Sequence, residues 1–313
     1  MSSLRKIDRD RAFADLANVE SILEGLDDRD RLTRLSLQSR RDEIRESVNA
    51  LDAAPPEGLA SIALFFGGDP VVASTGIESE FASASIGRFQ DLVAKYLANT
   101  EGELGQRGVV PNKAAATLHV TSIVRGSFGF LLEEIGPQRN LVQTSLKSAL
   151  DGVSDLLKAL SGPDDHEFEQ QLEAVDNRVL ESARGFFDVI AKHGATLKTV
   201  SDHNELSFST AAIARAVERA NSVHINEETR TVSGILVGAL PLAHRFEMAL
   251  EDDGDQIISG SIDRSFSRDQ ITDVIRDLLE TQVAAVMVVK SVFRNGALAK
   301  TIYRLLRISA DGV

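Results

Sequence analysis

Residues 118–135 constrain the fold most, because two apolar and β-branched runs flank the short sequence Arg125-Gly126-Ser127. Alternate side chains of an extended run share one side. Each run carries one such set, namely Leu118, Val120, Ser122 and Val124 in the first and Phe128, Phe130 and Leu132 in the second. Two extended runs around a glycine-containing turn predict a β-hairpin or a sharply bent strand pair. The pattern indicates a core and carries no evident chemistry.

The segments on either side of this hairpin predict an α+β fold. Short apolar runs at 61–66 and 71–75 predict strands that are joined by a turn at Gly67-Gly68-Asp69-Pro70. The helical spacing of apolar residues predicts helices at 82–98, 141–160, 164–192 and 209–221. The sequence therefore predicts a central domain over residues 58–222, in which helices pack on a mostly antiparallel sheet.

Residues 8–51 predict a pair of helices. Apolar residues in the first helix form a heptad seam, which is typical of a coiled coil, and a second stripe follows: Ala12, Leu16, Val19, Leu23 and Leu26, then Leu37, Ile44, Val48 and Leu51. The mixed charges between the stripes are typical of a solvated helix face. Because two short helices bury little apolar surface alone, we expect this helical hairpin, residues 1–54, to associate with another protein or with a second copy.

The C-terminal part of the chain changes character. Its patterns predict three strands, a helix and two more strands, at 230–237, 245–250, 256–262, 267–279, 283–293 and 301–308. This order resembles the OB-fold, a small five-stranded β-barrel, over residues 223–309, and Gly234 and Gly238 fit a strongly bent first strand. The whole chain also resembles uncharacterised bacterial proteins of the accessory genome that combine a Gly-Ser-Phe-Gly-Phe-like hairpin with a C-terminal small barrel. Both resemblances imply an architecture and no activity.

The charge balance and the absence of cysteine exclude several functions. Lys and Arg number 34 against 47 Asp and Glu, so the formal net charge is −13 and most of the surface repels nucleic acid and anionic membranes. A chain without cysteine has no disulfide, thiolate nucleophile or cysteine zinc site, which suits a reducing cytoplasm. The densest apolar stretches are far shorter than the roughly 20 residues of a spanning helix. We therefore expect a cytoplasmic protein without a membrane partner.

No complete catalytic or metal-binding motif is present, so the sequence assigns no catalytic, metal-binding or cofactor-binding residue. Gly67-Gly68 lacks the Lys and the Ser or Thr of a phosphate loop. Ser127 directly follows Gly126 and so does not fit the G-x-S-x-G turn of serine hydrolases. His166 lacks the second histidine of a zinc helix. The acidic run Asp252-Asp253-Gly254-Asp255 is interpreted as a hairpin turn.

Dispersed acids leave one enzymatic alternative open. Glu78 with Glu80, and Glu133 with Glu134, are pairs that could bind a metal or act as acid and base, and Asp202-His203 could form a catalytic pair. This alternative is a metal-dependent hydrolase or nuclease. Nothing in the sequence brings these acids to a basic partner, and acidic pairs on solvated edges are commoner.

One local pattern opposes the acidic balance of the chain. The last two predicted strands combine cations with aromatic rings, at Lys290, Phe293, Arg294, Lys300, Tyr303 and Arg304. On an OB-like barrel, bases stack on aromatic side chains beside a basic groove, so these residues predict a surface for single-stranded nucleic acid or another partner. The competing interpretation is that the charges keep strand edges from pairing. The leading hypothesis is a non-enzymatic binding or regulatory protein that acts through protein–protein contacts, and single-strand binding is the alternative.

Overall fold

The computed structural model describes residues 5–27, 30–53, 58–102, 104–105, 107–124, 128–136, 142–201, 204–250 and 256–310. Over these residues the chain forms helices, an antiparallel sheet and a C-terminal barrel, which confirms the α+β class. None of the described helices is long and apolar enough to cross a membrane. The chain divides into two compact units: unit 1 is Met1–Gln171 with Glu181–Val217, and unit 2 is Leu172–Leu180 with Glu218–Val313.

Unit 1 begins with a hairpin of two helices, α1 (Arg5–Gly25) and α2 (Arg31–Ala53). Val19 and Val48 of the predicted stripes are buried. An ion pair joins the two helices, with Arg45 Nη2 2.7 Å from Glu20 Oε1. The helical hairpin is therefore present, and its association with a partner or a second copy stays a prediction.

A five-stranded antiparallel sheet forms the centre of unit 1, in the order β4-β5-β1-β6-β7. Its elements and those beside it are β1 (Ser61–Gly68), β2 (Val71–Val72), β3 (Gly76–Ile77), α3 (Ser79–Thr100), a short 3-10 helix (Lys113–Ala116), β4 (His119–Val124), β5 (Phe128–Glu133), α4 (Ser145–Ser161), α5 (Asp165–Ala174), α6 (Asn177–Lys192), β6 (Ala195–Val200), β7 (Glu205–Phe208) and α7 (Thr210–Ser222). Strands β4 and β5 confirm the predicted hairpin, whose turn at 125–127 lies outside the described residues.

Two predictions for this region are wrong. The single helix predicted over 164–192 is two helices, because the chain leaves the helical path at Val175 and Asp176. The Asp176 carboxylate accepts a hydrogen bond from the Val179 N–H at 2.8 Å and so begins α6 as a capping side chain. The chain between the helices predicted at 164–192 and 209–221, for which the sequence predicts no strand, forms β6 and β7, and the polar loop predicted at Asp202-His203 lies outside the described residues.

The two faces of the sheet are covered differently. Ile62, Leu64 and Phe66 of β1 are buried, and the Phe66 ring packs edge-on against Phe81 of α3, with centroids 5.2 Å apart. On the opposite face a smaller cluster forms from Ala63, Val124, Leu131 and Val200, and Ile7 of α1 packs against it. Helix α1 therefore covers part of this second face.

Unit 2 contains a closed barrel with the strand order β10-β12-β11-β8-β9. Its elements are β8 (Val223–Leu240), β9 (Arg245–Leu250), β10 (Ile257–Ile262), α8 (Arg268–Leu278), β11 (Gln282–Arg294) and β12 (Ala297–Ala310). Strands β10 and β12 pair in parallel, and the other neighbours are antiparallel. The core includes Leu236, Phe246, Met248 and Met287, all of which are fully buried.

The two glycines predicted to ease the bend of the first strand have different environments. A Cβ on Gly234 would lie 2.1 Å from the Ala249 carbonyl oxygen, so only glycine permits this close approach of β8 and β9. A Cβ on Gly238 would meet open space. Gly238 instead lies where the pairing register of β8 with β9 shifts, after Leu236.

Candidate binding surface of unit 2

The structure places Lys290, the first of the predicted nucleic-acid contacts, in the interior of unit 2. Its Nζ donates hydrogen bonds to the carbonyl oxygens of Leu172 at 2.5 Å, of Glu173 at 3.3 Å and of Val175. These carbonyls lie at the C-terminal end of α5, where a helix leaves its last carbonyls without internal partners. Lys290 therefore holds the segment Leu172–Leu180 on strand β11, and its ammonium is not presented to solvent.

Two acids accompany Lys290 in this buried cluster. Burial lowers the pKa of Lys290 to about 8, against the opposing attraction of Glu227 and Asp176. The Glu227 carboxylate is 3.8 Å from the Lys290 ammonium. Burial also raises the pKa of Glu227 and of Asp176, although the charge of Lys290 opposes both shifts. These contacts explain the presence of a lysine at position 290 as a structural role.

The other residues of the predicted set pair with acids or are partly buried. Lys300 pairs with the Glu173 carboxylate. The Arg304 Nε is 4.0 Å from Asp263 Oδ2, and Tyr303 packs against the barrel core. Phe293 and Arg294 are partly buried. Single-strand binding through these residues stays a prediction, with Lys290 removed from the accessible surface.

The outer face of the barrel carries a different feature, a row of apolar side chains across three strands. Ile235 of β8 pairs with Ala249 of β9, which in turn pairs with Ile257 of β10. Ile235 is 43% exposed and Ile257 is 61% exposed. Since neighbouring strands lie about 4.8 Å apart, the two isoleucines are separated by roughly 10 Å.

Further apolar side chains extend this row along β8 and into the turn after it. Val237, Leu240 and Leu242 are exposed, the last by 78%. We call Ile235, Val237, Leu240, Leu242, Ala249 and Ile257 the apolar patch. Scattered apolar residues are normal on a protein surface, but a contiguous set is typical of an interaction site.

The sequence contains a signal for this patch that the sequence analysis did not use. In a strand, consecutive side chains point to opposite faces. Leu236 and Ile258 point into the barrel core, so their apolar neighbours Ile235 and Ile257 must point outward. The barrel core therefore does not explain the apolar residues at these two outward positions, and their presence is the sequence signal for the patch.

The border of the apolar patch is acidic. Glu247, which is exposed, pairs with Gly238 on one side and Ser259 on the other, and so borders the row Ile235, Ala249 and Ile257. Glu280 is exposed, and its N–H bonds to the Leu236 carbonyl at 2.8 Å. The acids of the sequence between Leu250 and Gln256, namely Glu251, Asp252, Asp253 and Asp255, lie outside the described residues and are not counted in this border. The nearby cation on the paired strands is Arg245, opposite Leu240. Segments with basic residues therefore complement this surface.

The paired acids of the enzymatic alternative have structural roles or lie far apart. Glu134 Oε2 accepts hydrogen bonds from the Ala60 N–H at 2.9 Å and the Thr144 hydroxyl at 2.7 Å. Glu133 lies opposite Ser61, at the start of β1. The Glu78 N–H donates a hydrogen bond to the Pro70 carbonyl oxygen, beyond the other end of β1. Glu133 and Glu78 are therefore roughly 20 Å apart, at about 3.3 Å per residue.

Among the predicted residues that the structure describes, no group with the ligands of a metal centre comes together. No group of three or more potential metal ligands occurs within the described ranges. His166 is exposed in the first turn of α5, where its N–H bonds to the Asp164 carboxylate at 2.8 Å. Glu80 lies in the first turn of α3. Ser127, Asp202-His203 and the run 252–255 lie outside the described residues.

A serine–lysine pair that the sequence analysis missed also has a structural explanation. Lys95 Nζ is 2.6 Å from Ser182 Oγ and 2.8 Å from Asp91 Oδ2. Burial opposes ionisation of Asp91, but the hydrogen bond and charge of Lys95 outweigh burial and lower its pKa. Ser182 is only 4% exposed, so its hydroxyl is not accessible to a substrate. The three side chains join α3 to α6.

These observations define an α+β protein with a closed five-stranded barrel and an exposed apolar surface on it. No protein-family model, no curated protein and no solved structure matches the chain. Its function is therefore argued from its own surfaces.

Proposed function

We propose that this chain is a non-enzymatic binding protein whose barrel docks a basic, apolar segment of another protein. The observation that carries the proposal is the row Ile235, Ala249 and Ile257, which crosses three neighbouring strands on the outside of the barrel. Its acidic border selects the charge of the partner. An apolar surface without a reactive group suits recognition, and not bond breaking.

The topology of the barrel supports this proposal. The first three strands of unit 2 are followed by α8 and two further strands, and the third and fifth strands, β10 and β12, pair in parallel. This order resembles that of the OB-fold, whose second and third strands and whose loop between the first two strands bind oligonucleotides and oligosaccharides. The resemblance supports the position of the binding face and not the class of ligand. Ala249 and Ile257 of the apolar patch lie on the corresponding strands, β9 and β10, and Leu242 lies in that loop, whereas the other patch residues lie on the first strand, β8.

The gain on docking is of the size of a reversible interaction. The five large apolar side chains of the patch have exposed fractions between 41% and 78%. Covering them gains on the order of 5 kcal/mol, before the losses of association entropy are subtracted. The acidic border adds attraction that weakens with salt. Since about 5 kcal/mol corresponds to a Kd of roughly 0.2 mM, we expect binding of a short segment at a few tenths of a millimolar or weaker.

A labelled synthetic amphipathic helix made of Leu and Lys tests the proposal. We expect the full-length protein to raise its fluorescence anisotropy, and we expect Ile235→Ser with Ile257→Ser to weaken the affinity at least tenfold. Leu298→Ser is the matched control, because Leu298 is 59% exposed at the start of β12 and is outside the patch. An equal loss in the control, or unchanged affinity in the double variant, contradicts the proposal.

Two further measurements separate other occupants from a basic segment. A Leu–Glu helix of the same length should bind much more weakly, because the border of the patch is acidic. Tight binding to oligothymidylate that falls steeply with salt would favour the single-strand alternative instead. The chain has no Trp and only 2 Tyr, so nucleic acid that copurifies with it would be evident in its ultraviolet spectrum.

A further inference from the structure

The second face of the unit 1 sheet carries a groove beyond the part that α1 covers. Its volume is about 300 Å³. The residues on its open side come from β1, β6 and the β7 region, and they are Phe65, Gly67, Thr196, Lys198, Ser207 and Ser209. The pairing register places Phe65 beside Lys198 and Lys198 beside Ser207, with Gly67 and Thr196 in the next row. The groove is therefore a depression over neighbouring strands.

Small residues and one tilted ring create this depression. A Cβ on Gly129 would lie 2.4 Å from a ring carbon of Phe65, so the ring lies over Gly129 of the adjacent strand β5. Gly67 adds no side chain, and Thr196 and Ser207 add short ones. The strand backbone beside the Phe65 ring thus stays uncovered, between an aromatic surface and two hydroxyl groups.

The side chains at the groove offer polar groups and positive charge. The Thr196 and Ser207 hydroxyls make no hydrogen bond with any of the residues that the structure describes. Lys198 Nζ is 2.7 Å from Glu205 Oε1, and Lys6 Nζ is 2.7 Å from Glu205 Oε2. Their hydrogen bonds lower the pKa of Glu205 to about 2. Two ammonium groups therefore share one carboxylate and leave one positive charge beside the groove.

We propose that this groove binds a small planar apolar molecule that carries one anionic group. The ring system packs on Phe65, and the anion is bound by Lys198 with the hydroxyls of Thr196 and Ser207. The volume is at the lower end of the range for small-molecule sites, which suits a fused bicyclic acid. This site lies in unit 1 and does not depend on the apolar patch of unit 2.

The test uses 2-naphthoate and its neutral amide, 2-naphthamide, with the full-length protein. Naphthalene fluorescence reports binding directly, because the chain has no Trp. We expect saturable binding of 2-naphthoate that is about fivefold tighter than binding of the amide, the size of one exposed charge interaction. Lys198→Met should remove this preference by weakening the naphthoate and leaving the amide unchanged.

Lys158→Met is the matched control, because Lys158 is also exposed and also pairs with a glutamate, with its Nζ 3.4 Å from Glu167 Oε1. It should leave both affinities unchanged. Ser207→Leu, at an exposed position of β7, should fill the groove and weaken both compounds at least tenfold without changing the thermal unfolding temperature.

No saturable binding, equal affinity for the two compounds, or equal effects of Lys198→Met and Lys158→Met would each overturn this proposal. The variant Ile235→Ser with Ile257→Ser should keep naphthoate binding. Loss of naphthoate binding in that variant would show that naphthoate binds to the apolar patch. It would then overturn the proposal that the groove binds naphthoate, and would leave the test of peptide docking unaffected.

Discussion

At the scale of single residues, the burial of Lys290 removes one predicted cation from the outer surface of the barrel. A lysine on an outer strand face would be expected to reach solvent along its flexible stem. Here the stem is covered, and the ammonium satisfies backbone carbonyls at the end of α5. These contacts remove Lys290 from the residues that could touch a nucleic acid, and the other residues of that set stay a prediction.

Replacement of Lys290 by Met should destabilise the protein. The variant leaves the carbonyls of Leu172, Glu173 and Val175 buried without their donor, and Glu227 without its cation. Losses of this kind lower the free energy of unfolding by about 2–4 kcal/mol. Urea unfolding at pH 7 measures the change. Lys300→Met, which removes an exposed lysine with a surface ion pair, is the control and should cost less than about 1 kcal/mol.

The effect of Lys290 should also depend on pH. Its pKa is about 8 in the folded protein and 10.5 when unperturbed, so the unfolded chain binds more protons between these two values. The free energy of unfolding of the native protein should therefore rise, relative to the Met variant, as the pH rises from 8 to 10.5. Nitrogen-15 resonance of the lysine Nζ groups should show one midpoint near pH 8. A flat difference between the two proteins contradicts the buried ammonium.

At the scale of elements, local signals predicted those parts of the fold that local physics determines. Ser267 and Gln270 form the reciprocal capping box that begins α8, close to the predicted helix start. The alternating runs around 118–135 pair as β4 and β5. Each of these elements depends on residues that are close in sequence.

The elements that sequence reasoning missed depend on distant residues. Val175 keeps the helical spacing of Leu172 and Val179, so the sequence predicts one helix, whereas the carbonyls that end α5 are bound by Lys290, up to 118 positions away. Strand β6 shows polar residues because Thr196 and Lys198 lie on the open face of the sheet. The apolar patch was predictable in principle, from adjacent apolar residues in β8 and β10, whereas the groove over β1 was not, because it needs the strand order.

The docking of α1 on the sheet should weaken in acid. Glu205 connects Lys6 of α1 to Lys198 of β6, and hydrogen bonds from these lysines lower its pKa from 4.5 to about 2. A depressed carboxyl pKa contributes stability above pH 4.5, and this contribution is lost as the pH falls toward 2. Glu205→Gln should cost less than about 1 kcal/mol at pH 6, because solvent screens the pairs.

Urea unfolding between pH 2 and pH 6 tests this expectation. The difference between the native protein and the Glu205→Gln variant should disappear toward pH 2. Glu167→Gln, which removes a single exposed pair with Lys158, provides the control and should show no comparable trend. A constant difference down to pH 2 would show that the charge of Glu205 does not hold α1.

At the scale of the whole molecule, neither compact unit is one continuous stretch of chain. Unit 2 takes Leu172–Leu180 from between helices and joins it to Glu218–Val313. Domains are usually excised as continuous segments. The segment 223–309, predicted from strand patterns, contains all the strands of the barrel except the last residue of β12. It lacks the carbonyls that bind Lys290.

A fragment that begins at Glu218 should therefore be less stable than the same fragment fused to residues 172–180 through a flexible linker. Its Lys290 should titrate near the unperturbed value of 10.5, and the fusion should return the midpoint toward 8. Lysine Nζ resonances and urea unfolding measure both effects. In the short fragment, Lys290→Met should have little effect. Equal stability of the fragment and the fusion would show that the added segment is dispensable.

This arrangement has a consequence during protein synthesis. The carbonyl of Val175 leaves the ribosome 115 residues before the lysine that binds it. At typical rates of about 5–20 residues per second, the interval is on the order of ten seconds. The end of α5 must wait in water for its donor while most of unit 1 is already available to fold. The barrel is thus expected to close only after translation of β12, and Lys290 then binds a segment that was synthesised many seconds earlier.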